Sequence, residues 1–161
     1  MINIAENHAI VKCSRMVNMK KMKLIKTFAA VVIVMILVIA LEINRLGVIS
    51  GTPIFLYRAK TTAQKAQGLG KQKMICARCS LLFDYERPQE IGIWMKDMQF
   101  PIDIIWLNAD KKIIHIEENV AQDSYPKTYK PEKPASSVLE LNAGFVRDNG
   151  IKEGQSVWFW N

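Results

Sequence analysis

The chain has 161 residues, enough for one domain of ordinary size. Its net charge of +7 is uneven, because 16 basic and 13 acidic residues from Asn44 onward leave only +3 there. Most of the surplus lies in the N-terminal part. Since the remainder has no basic stripe interleaved with aromatic residues, the sequence argues against nucleic-acid binding.

An apolar stretch follows the basic residues near the N-terminus. Thr27–Leu41 has 15 residues without a charge. With its flanks it gives an apolar segment over residues 24–43, which at about 1.5 Å per residue spans a hydrocarbon core of about 30 Å. We predict a short basic cytosolic N-terminus over residues 1–23 and a transmembrane anchor over residues 24–43. The alternative is a signal peptide cleaved after Val38-Ile39-Ala40.

The lysines before this segment predict an inside N-terminus. Anchor and signal peptide alike place the remainder of the chain on the extracytoplasmic side. The anchor further predicts a single-pass protein of the cell membrane.

Residues 44–52 hold two glycines and little that packs, so we predict a linker there and a globular domain over residues 53–161. Alternating apolar residues predict strands, and capping residues predict two short helices. The predicted strands are Pro53–Lys60, Leu81–Tyr85, Ile91–Trp94, Ile102–Leu107, Ile113–Val120, Val138–Leu141 and Ser156–Trp160; the helices are Thr61–Leu69 and Ala143–Asp148, and Ala121–Ala135 is a long loop. This pattern predicts an α+β domain, a small and mostly antiparallel β-barrel or sheet.

The most unusual polar residue is Asp103, which is the only charge in the apolar strand Ile102–Leu107. One interpretation is structural, with the carboxylate accepting backbone N–H bonds across a turn. The other is functional, as a general base or an anchor for a cationic ligand group. The preceding turn contains Trp94, Lys96 and Asp97, and we take these residues with Asp103 as the candidate ligand site.

Glu140 is a weaker candidate for the same site. It lies between Leu139 and Leu141, and the alternation of a strand turns it away from both. It could pair with Asp103 or with Lys96. Two carboxylates on one cavity would allow acid–base chemistry.

The order and spacing of several motifs resemble the domain of unknown function 192 family (DUF192). The resemblance covers about 90 residues, from Ala66 to Val157. It rests on Gly68-Leu69, Leu82-Phe83, Trp94-Met95-Lys96-Asp97, Pro101-Ile102-Asp103-Ile104, Val138-Leu139-Glu140-Leu141, Ala143-Gly144, Gly150-Ile151 and Gly154. It implies a β-rich domain that is often exported, and it implies no reaction.

The chain departs from the family pattern at several positions. Gly70 and Gln72 replace a Met and an Arg, and Ser80-Leu81 replaces Gly-Met. Asp97-Met98 replaces Asn-Thr, and Gln155 replaces an Asp. If one of these side chains belongs to a site shared by the family, that site is altered here.

Cys76 and Cys79 form a C-x-x-C pair before the predicted strand Leu81–Tyr85. A structural zinc site needs two more ligands, and the only histidines are His8 and His115. We therefore expect no metal and no cofactor. In an oxidising compartment a local disulfide is favoured over a redox-active pair or free thiols.

Two functions follow from the sequence. The first is a non-enzymatic exported module that binds a small ligand or an envelope partner through the Trp94–Asp103 region. The second is an envelope hydrolase that uses Asp103 and Glu140 as an acid/base pair. The position of the two carboxyl groups relative to one cavity distinguishes them.

Overall fold

The computed structural model of the chain describes residues 4–43 and 45–160, in two compact units that divide after Ile43. The first unit is helix α1, Ile4–Ile43. Within α1, Lys21–Ile39 is long and apolar enough to cross a membrane, a property that signal sequences share. The predicted apolar segment is therefore helical, and so is the basic stretch before it from Ile4 onward.

The second unit is an α+β domain. Seven strands form one sheet in the order β6-β5-β8-β3-β2-β1-β9, which curls into a half-barrel, and β4 and β7 form a separate pair. The strands are β1 Leu46–Ile49, β2 Thr52–Ala59, β3 Cys79–Gln89, β4 Ile93–Trp94, β5 Ile102–Leu107, β6 Ile113–Val120, β7 Thr128–Tyr129, β8 Ala135–Asn142 and β9 Val157–Phe159; the helices are α2 Thr62–Gln67 and α3 Phe145–Asp148.

The sheet is mixed, although most of its pairs are antiparallel as predicted. β2 and β3 run parallel. A parallel pair needs a crossover of a dozen or more residues, and the stretch between Ala59 and Cys79 provides it, including α2. Thr61 caps α2 through a capping box with Gln64, so the sequence signal for the helix start is correct.

The predicted linker over residues 44–52 is wrong for its described part, because Leu46–Ile49 is strand β1, paired with both β2 and β9. Its glycines have structural roles. A Cβ on Gly47 would come within 3.0 Å of the Leu56 side chain and 3.2 Å of a backbone oxygen of β9. Ser50 and Gly51 both have positive φ, 51° and 80°, which is the two-residue turn that joins twisted hairpin strands.

The predicted loop Ala121–Ala135 contains a short strand, Thr128–Tyr129, that the sequence did not indicate. This β7 pairs with β4, so that Trp94 lies opposite Thr128. Two residues carry too little periodic signal to be recognised as a strand. The pairing gives the Trp94 segment its place in the fold.

Both faces of the sheet centre are buried. One face, here called the α3 face, packs Leu139 and Leu141 against Phe145 and Val146. The opposite face, here called the α2 face, carries a second apolar cluster that includes Phe83, Ile104, Trp106 and Val138. Strand β5 is buried along its whole length because it lies between the two clusters.

Candidate functional site

Asp103 is a structural carboxylate. It is fully buried on the α3 face, and its two oxygens accept three backbone N–H bonds, from Asn119 at 2.8 Å, Gly144 at 3.2 Å and Val146 at 2.8 Å. Charge-assisted bonds to several amides compensate the loss of hydration of a buried carboxylate. Asp103 thus joins β5 to the end of β6 and to the start of α3.

The structure does not bring Asp103 and Glu140 together. In the antiparallel β5–β8 pair, Asp103 lies opposite Leu141, and Glu140 lies opposite Ile104. Directly opposed residues of a sheet point to the same face, and neighbours along a strand point to opposite faces. Asp103 therefore faces α3, whereas Glu140 is on the α2 face.

Lys96 and Asp97 form an exposed turn. The Met98 N–H bonds to the Met95 carbonyl at 3.3 Å, and Asp97 has a φ of 60°. This position of a turn favours Gly, Asn or Asp, which accounts physically for the Asp at the place of the family's Asn. The turn is held by the Lys71 N–H, which donates to the Asp97 carbonyl at 2.8 Å.

Gly70 packs against the same turn. A Cβ atom on it would lie 2.9 Å from the Lys96 carbonyl oxygen and 2.8 Å from that of Gln67. Gly70, which stands where the family pattern has Met, therefore lies where two stretches of backbone approach each other closely. The turn residues Lys96 and Asp97 do not line the cavity described next.

A cavity of about 450 Å³ opens on the α2 face, between α2 and its following loop, β3, β4 and β8. We call it the Glu140 cavity. Of the predicted site residues it contains Trp94 and Glu140. Its lining comprises Lys60, Thr62, Lys65, Ala66, Gln67, Gly68, Leu69, Tyr85, Gly92, Ile93, Trp94, Met98 and Glu140.

Glu140 is the buried polar group of this cavity, with 3 % of its surface exposed. Its Oε2 finds no hydrogen-bond partner among the residues that the structure describes. Burial raises the pKa of its carboxyl to about 8, against the opposing effect of a hydrogen bond from the Leu69 backbone. At neutral pH the group is therefore mainly a carboxylic acid, which can donate a hydrogen bond.

The apolar wall of the cavity comes from β4 and the segment after it. Trp94 is 47 % exposed, whereas its neighbours Ile93 and Met95 are buried in the α2-face cluster. The alternation along β4 turns the Trp94 ring outward, and the β4–β7 pairing keeps that strand in register. Met98 adds a second apolar side chain to the lining.

Lys65 and Tyr85 also line the cavity. The Lys65 ammonium lies 3.6 Å from the centre of the Tyr85 ring and donates to the Asp84 carbonyl oxygen. Burial, and secondarily the charge of Glu140, raises the pKa of the Tyr85 hydroxyl. The cavity thus combines a flat aromatic wall, a cation on an aromatic face and a buried acid.

Sequence reasoning missed Lys65, Tyr85 and Gly68. Lys65 and Tyr85 are unremarkable as a helix residue and a strand residue, and their meeting depends on the β2–α2–β3 crossover. Gly68 had a signal, because glycine at a helix exit often has positive φ. Here its φ is 55°, and the absent Cβ leaves space for the Glu140 carboxyl.

A disulfide joins Cys76 and Cys79 in the loop before β3, with their Cα atoms 5.0 Å apart. The Asn142 amide donates to the Cys76 carbonyl at 2.8 Å, which ties this loop to the end of β8. The pair lies outside the lining of the Glu140 cavity. Within residues 4–43 and 45–160, no cluster of three or more His, Cys, Asp or Glu side chains could hold a metal ion.

Comparison with known families tests the resemblance to DUF192 that the motifs suggest. The profile of DUF192, described as an uncharacterised ACR, matches residues 46–159. The chain belongs to the DUF192 family. The match begins at the first residue of β1, so this strand is part of the family's domain. None of the curated proteins matches the chain.

Two crystal structures share the DUF192 fold of this chain. One is a protein of Sinorhizobium meliloti 1021, described as a candidate transcription regulator, with 26 % identity and a TM-score of 0.66 over 70 % of this chain and 89 % of that one. The other, from Novosphingobium aromaticivorans DSM 12444, is described as a protein of unknown function. It has 27 % identity and a TM-score of 0.64 over 71 % of this chain and 81 % of its own.

Proposed function

We propose that this DUF192 protein is a membrane-anchored domain that binds a small ligand in the Glu140 cavity, on the extracytoplasmic side of the membrane. The observation that carries the binding proposal is the buried Glu140 Oε2 without a partner. A buried polar atom left unbonded costs free energy, so a ligand that bonds to it recovers that loss.

The cavity has the features that small-molecule sites share. A volume of about 450 Å³ lies in the usual range, and the lining mixes apolar walls with a few polar groups. Trp94 offers an exposed aromatic face, Glu140 offers a buried polar group and Lys65 offers a charged group in the lining. The ligand that fits is compact, with one apolar or ring face and a polar group that reaches Glu140.

The protonated state of Glu140 narrows the chemistry further. With a pKa of about 8, the carboxyl at neutral pH donates to an acceptor group such as a carbonyl, a carboxylate or a hydroxyl oxygen. The lysines of the lining, Lys60 and Lys65, favour acceptors as well and disfavour a cationic ligand. We therefore propose a neutral or anionic ligand.

The positions of Asp103 and Glu140 do not support the hydrolase alternative. Acid–base catalysis by a carboxyl pair needs both groups on one cavity. Asp103 is held by backbone amides on the α3 face, and Glu140 points to the α2 face. An envelope protein that inserts a side chain into the Glu140 cavity is the second candidate partner.

The apolar part of α1 supports the anchor, and the basic residues before it support the orientation. The description of the S. meliloti protein as a candidate transcription regulator applies to that protein. In this chain the nearly balanced charge from Asn44 onward gives nucleic-acid binding no support.

The test is a ligand screen on the purified full chain in detergent micelles, by thermal shift and then by ligand-observed NMR. The probes are neutral sugars, small carboxylic acids and small amines. We expect hits among the first two classes. Their affinity should fall at least tenfold in Trp94→Ala and in Glu140→Leu, which removes the donor. It should persist in Glu140→Gln, whose amide still donates, and in Lys96→Ala, the matched control from the neighbouring turn.

The outcomes separate the alternatives. Hits confined to amines would refute the assigned ligand class. Hits that are insensitive to Trp94 and Glu140 would refute the cavity as the site. If no probe binds and cross-linking from Trp94 captures a protein in intact cells, the envelope partner replaces the small ligand.

A further inference from the structure

The α2 face of the sheet is covered at its centre but partly exposed over β1, β9 and the first part of β2. Four large side chains project there with about half of their surface exposed: Phe55 at 48 %, Tyr57 at 54 %, Trp158 at 51 % and Trp160 at 51 %. We call these four residues the aromatic face. The same strands bury Ile54, Leu56 and Phe159 on the α3 face, so they are apolar on both sides.

The strand register joins the four side chains into one patch. Val48 of β1 lies opposite Pro53 on one side and Trp158 on the other. Leu46 lies opposite Phe55, and Leu46 and Val48 are themselves half-buried. The rings of Trp158 and Trp160 meet edge to face, with centroids 5.2 Å apart.

A strand that is apolar on both faces is usually covered on both. The position of the patch along the chain indicates what covers it. Helix α1 ends at Ile43, and β1 begins at Leu46, so two residues lie between them and at most about 11 Å of extended chain joins Ile43 to Leu46. The apolar segment Lys21–Ile39 ends four residues before Ile43.

The composition of the patch fits a lipid surface better than a protein surface. Trp and Tyr concentrate at the boundary between hydrocarbon and headgroups, where the ring is apolar and the N–H or O–H remains hydrated. Arg45 is exposed immediately before β1 and can pair with lipid phosphates. The two-residue connection ties β1, one of the strands under the patch, to the apolar segment of α1.

We propose that the aromatic face rests on the interface of the bilayer that α1 spans, as a second and peripheral membrane contact. This inference rests on the proposed anchor and is independent of the Glu140 cavity, whose lining contains none of the four residues. It predicts that the domain lies on the membrane with the aromatic face, so that α3 is on the side away from the bilayer.

The test reconstitutes the full chain in vesicles of phosphatidylcholine and phosphatidylglycerol that carry bromine near the headgroups, which quenches nearby tryptophans. We expect at least twofold stronger quenching in the wild type than in Trp158→Phe/Trp160→Phe, which keeps the apolar face but removes its fluorescence. Trp94→Phe should retain the quenching. Phe55→Asp/Tyr57→Asp, which places charge on the face at exposed positions, should reduce quenching to the level of the double Phe variant.

A matched control, Gln99→Asp/Gln122→Asp, adds the same charge at exposed positions away from β9 and should leave quenching unchanged. Flotation of the vesicles is measured first. A chain that does not float with them refutes the anchor and the lipid contact together. A chain that floats without quenching of Trp158 and Trp160 refutes the lipid contact alone. Concentration-dependent dimerisation that Phe55→Asp/Tyr57→Asp abolishes would assign the face to a second copy instead.

Discussion

The Glu140 carboxyl lies against Gly68, where both of its oxygens are 3.3 Å from the position that a Cβ atom would take. Gly68 has φ 55° and ψ −136°, a backbone conformation that residues other than glycine rarely adopt. One residue thus ends α2, turns the chain into the cavity and leaves space for the buried acid.

The substitution Gly68→Ala should lower the free energy of unfolding by about 1 to 3 kcal/mol, since it adds backbone strain and crowds Glu140. Gly150→Ala is the matched control, because Gly150 has φ 61° and nothing within 4 Å of an added Cβ. Urea denaturation of both variants measures the difference. Equal losses in the two variants would contradict the close packing of Gly68 on Glu140.

Glu140 should make the stability of the domain fall as pH rises. Its pKa is about 8 in the folded chain and near 4.5 in the unfolded one, so between these values the folded state holds the extra proton. The stabilisation is complete below about pH 4.5 and is lost as pH rises to about 8, by up to about 1.4 kcal/mol per pH unit.

The measurement compares the wild type with Glu140→Gln from pH 5 to pH 9. The variant should gain stability relative to the wild type up to about pH 8, and the difference should then level off. Glu118→Gln, at an exposed position of β6, is the control and should follow the wild type. A constant difference between wild type and Glu140→Gln across this range would show that the acid does not hold its proton in the folded state.

Asp103→Asn should destabilise the domain by about 2 to 3 kcal/mol, because the amide nitrogen cannot accept one of the three backbone N–H bonds and the others lose their charge. Asp110→Asn, in the exposed turn between β5 and β6, should have no effect beyond about 0.5 kcal/mol. Ligand affinity in the Glu140 cavity should be unchanged in folded Asp103→Asn. A loss of ligand binding without a loss of stability would show that Asp103 belongs to the ligand site.

Cys76 and Cys79 should be linked in protein isolated from cells, as mass spectrometry after alkylation would show. The double variant Cys76→Ser/Cys79→Ser should lose about 2 kcal/mol, which is the chain-entropy estimate for a loop this short. Ligand binding should remain. Cys13→Ser is the control, because it removes the third cysteine and leaves the Cys76–Cys79 pair intact. Two alkylated thiols in material isolated from cells would remove the disulfide.

Protease added to intact spheroplasts should digest the domain from residue 45 onward and spare the N-terminal part of α1. The reason is that basic residues next to a membrane span favour its inner side, and in the proposed orientation these residues precede the span. Digestion only after lysis would reverse the orientation. A mature N-terminus at Leu41 would show that the apolar segment is a cleaved signal peptide.

The sequence by itself determined the family, most strands of the domain and the capped start of α2. These features depend on local signals: the alternation in Ile102–Leu107, the Thr61 cap and the spacing of the motifs around Trp94 and Glu140. It also placed Glu140 on the face away from Leu139, because strand alternation requires no knowledge of partners.

Only the tertiary structure decided the roles of the candidate residues. Asp103 looked like a site residue because its partners, the amides of residues 119, 144 and 146, are distant along the chain. Residues 46–49 were predicted to belong to a linker because glycine is common both in ordered turns and in flexible segments. Composition alone does not distinguish the two. The Glu140 cavity depends on the β2–α2–β3 crossover, which brings Gly68, Lys65 and Tyr85 to one place. Side chains that meet through a crossover leave no periodic signal in the sequence.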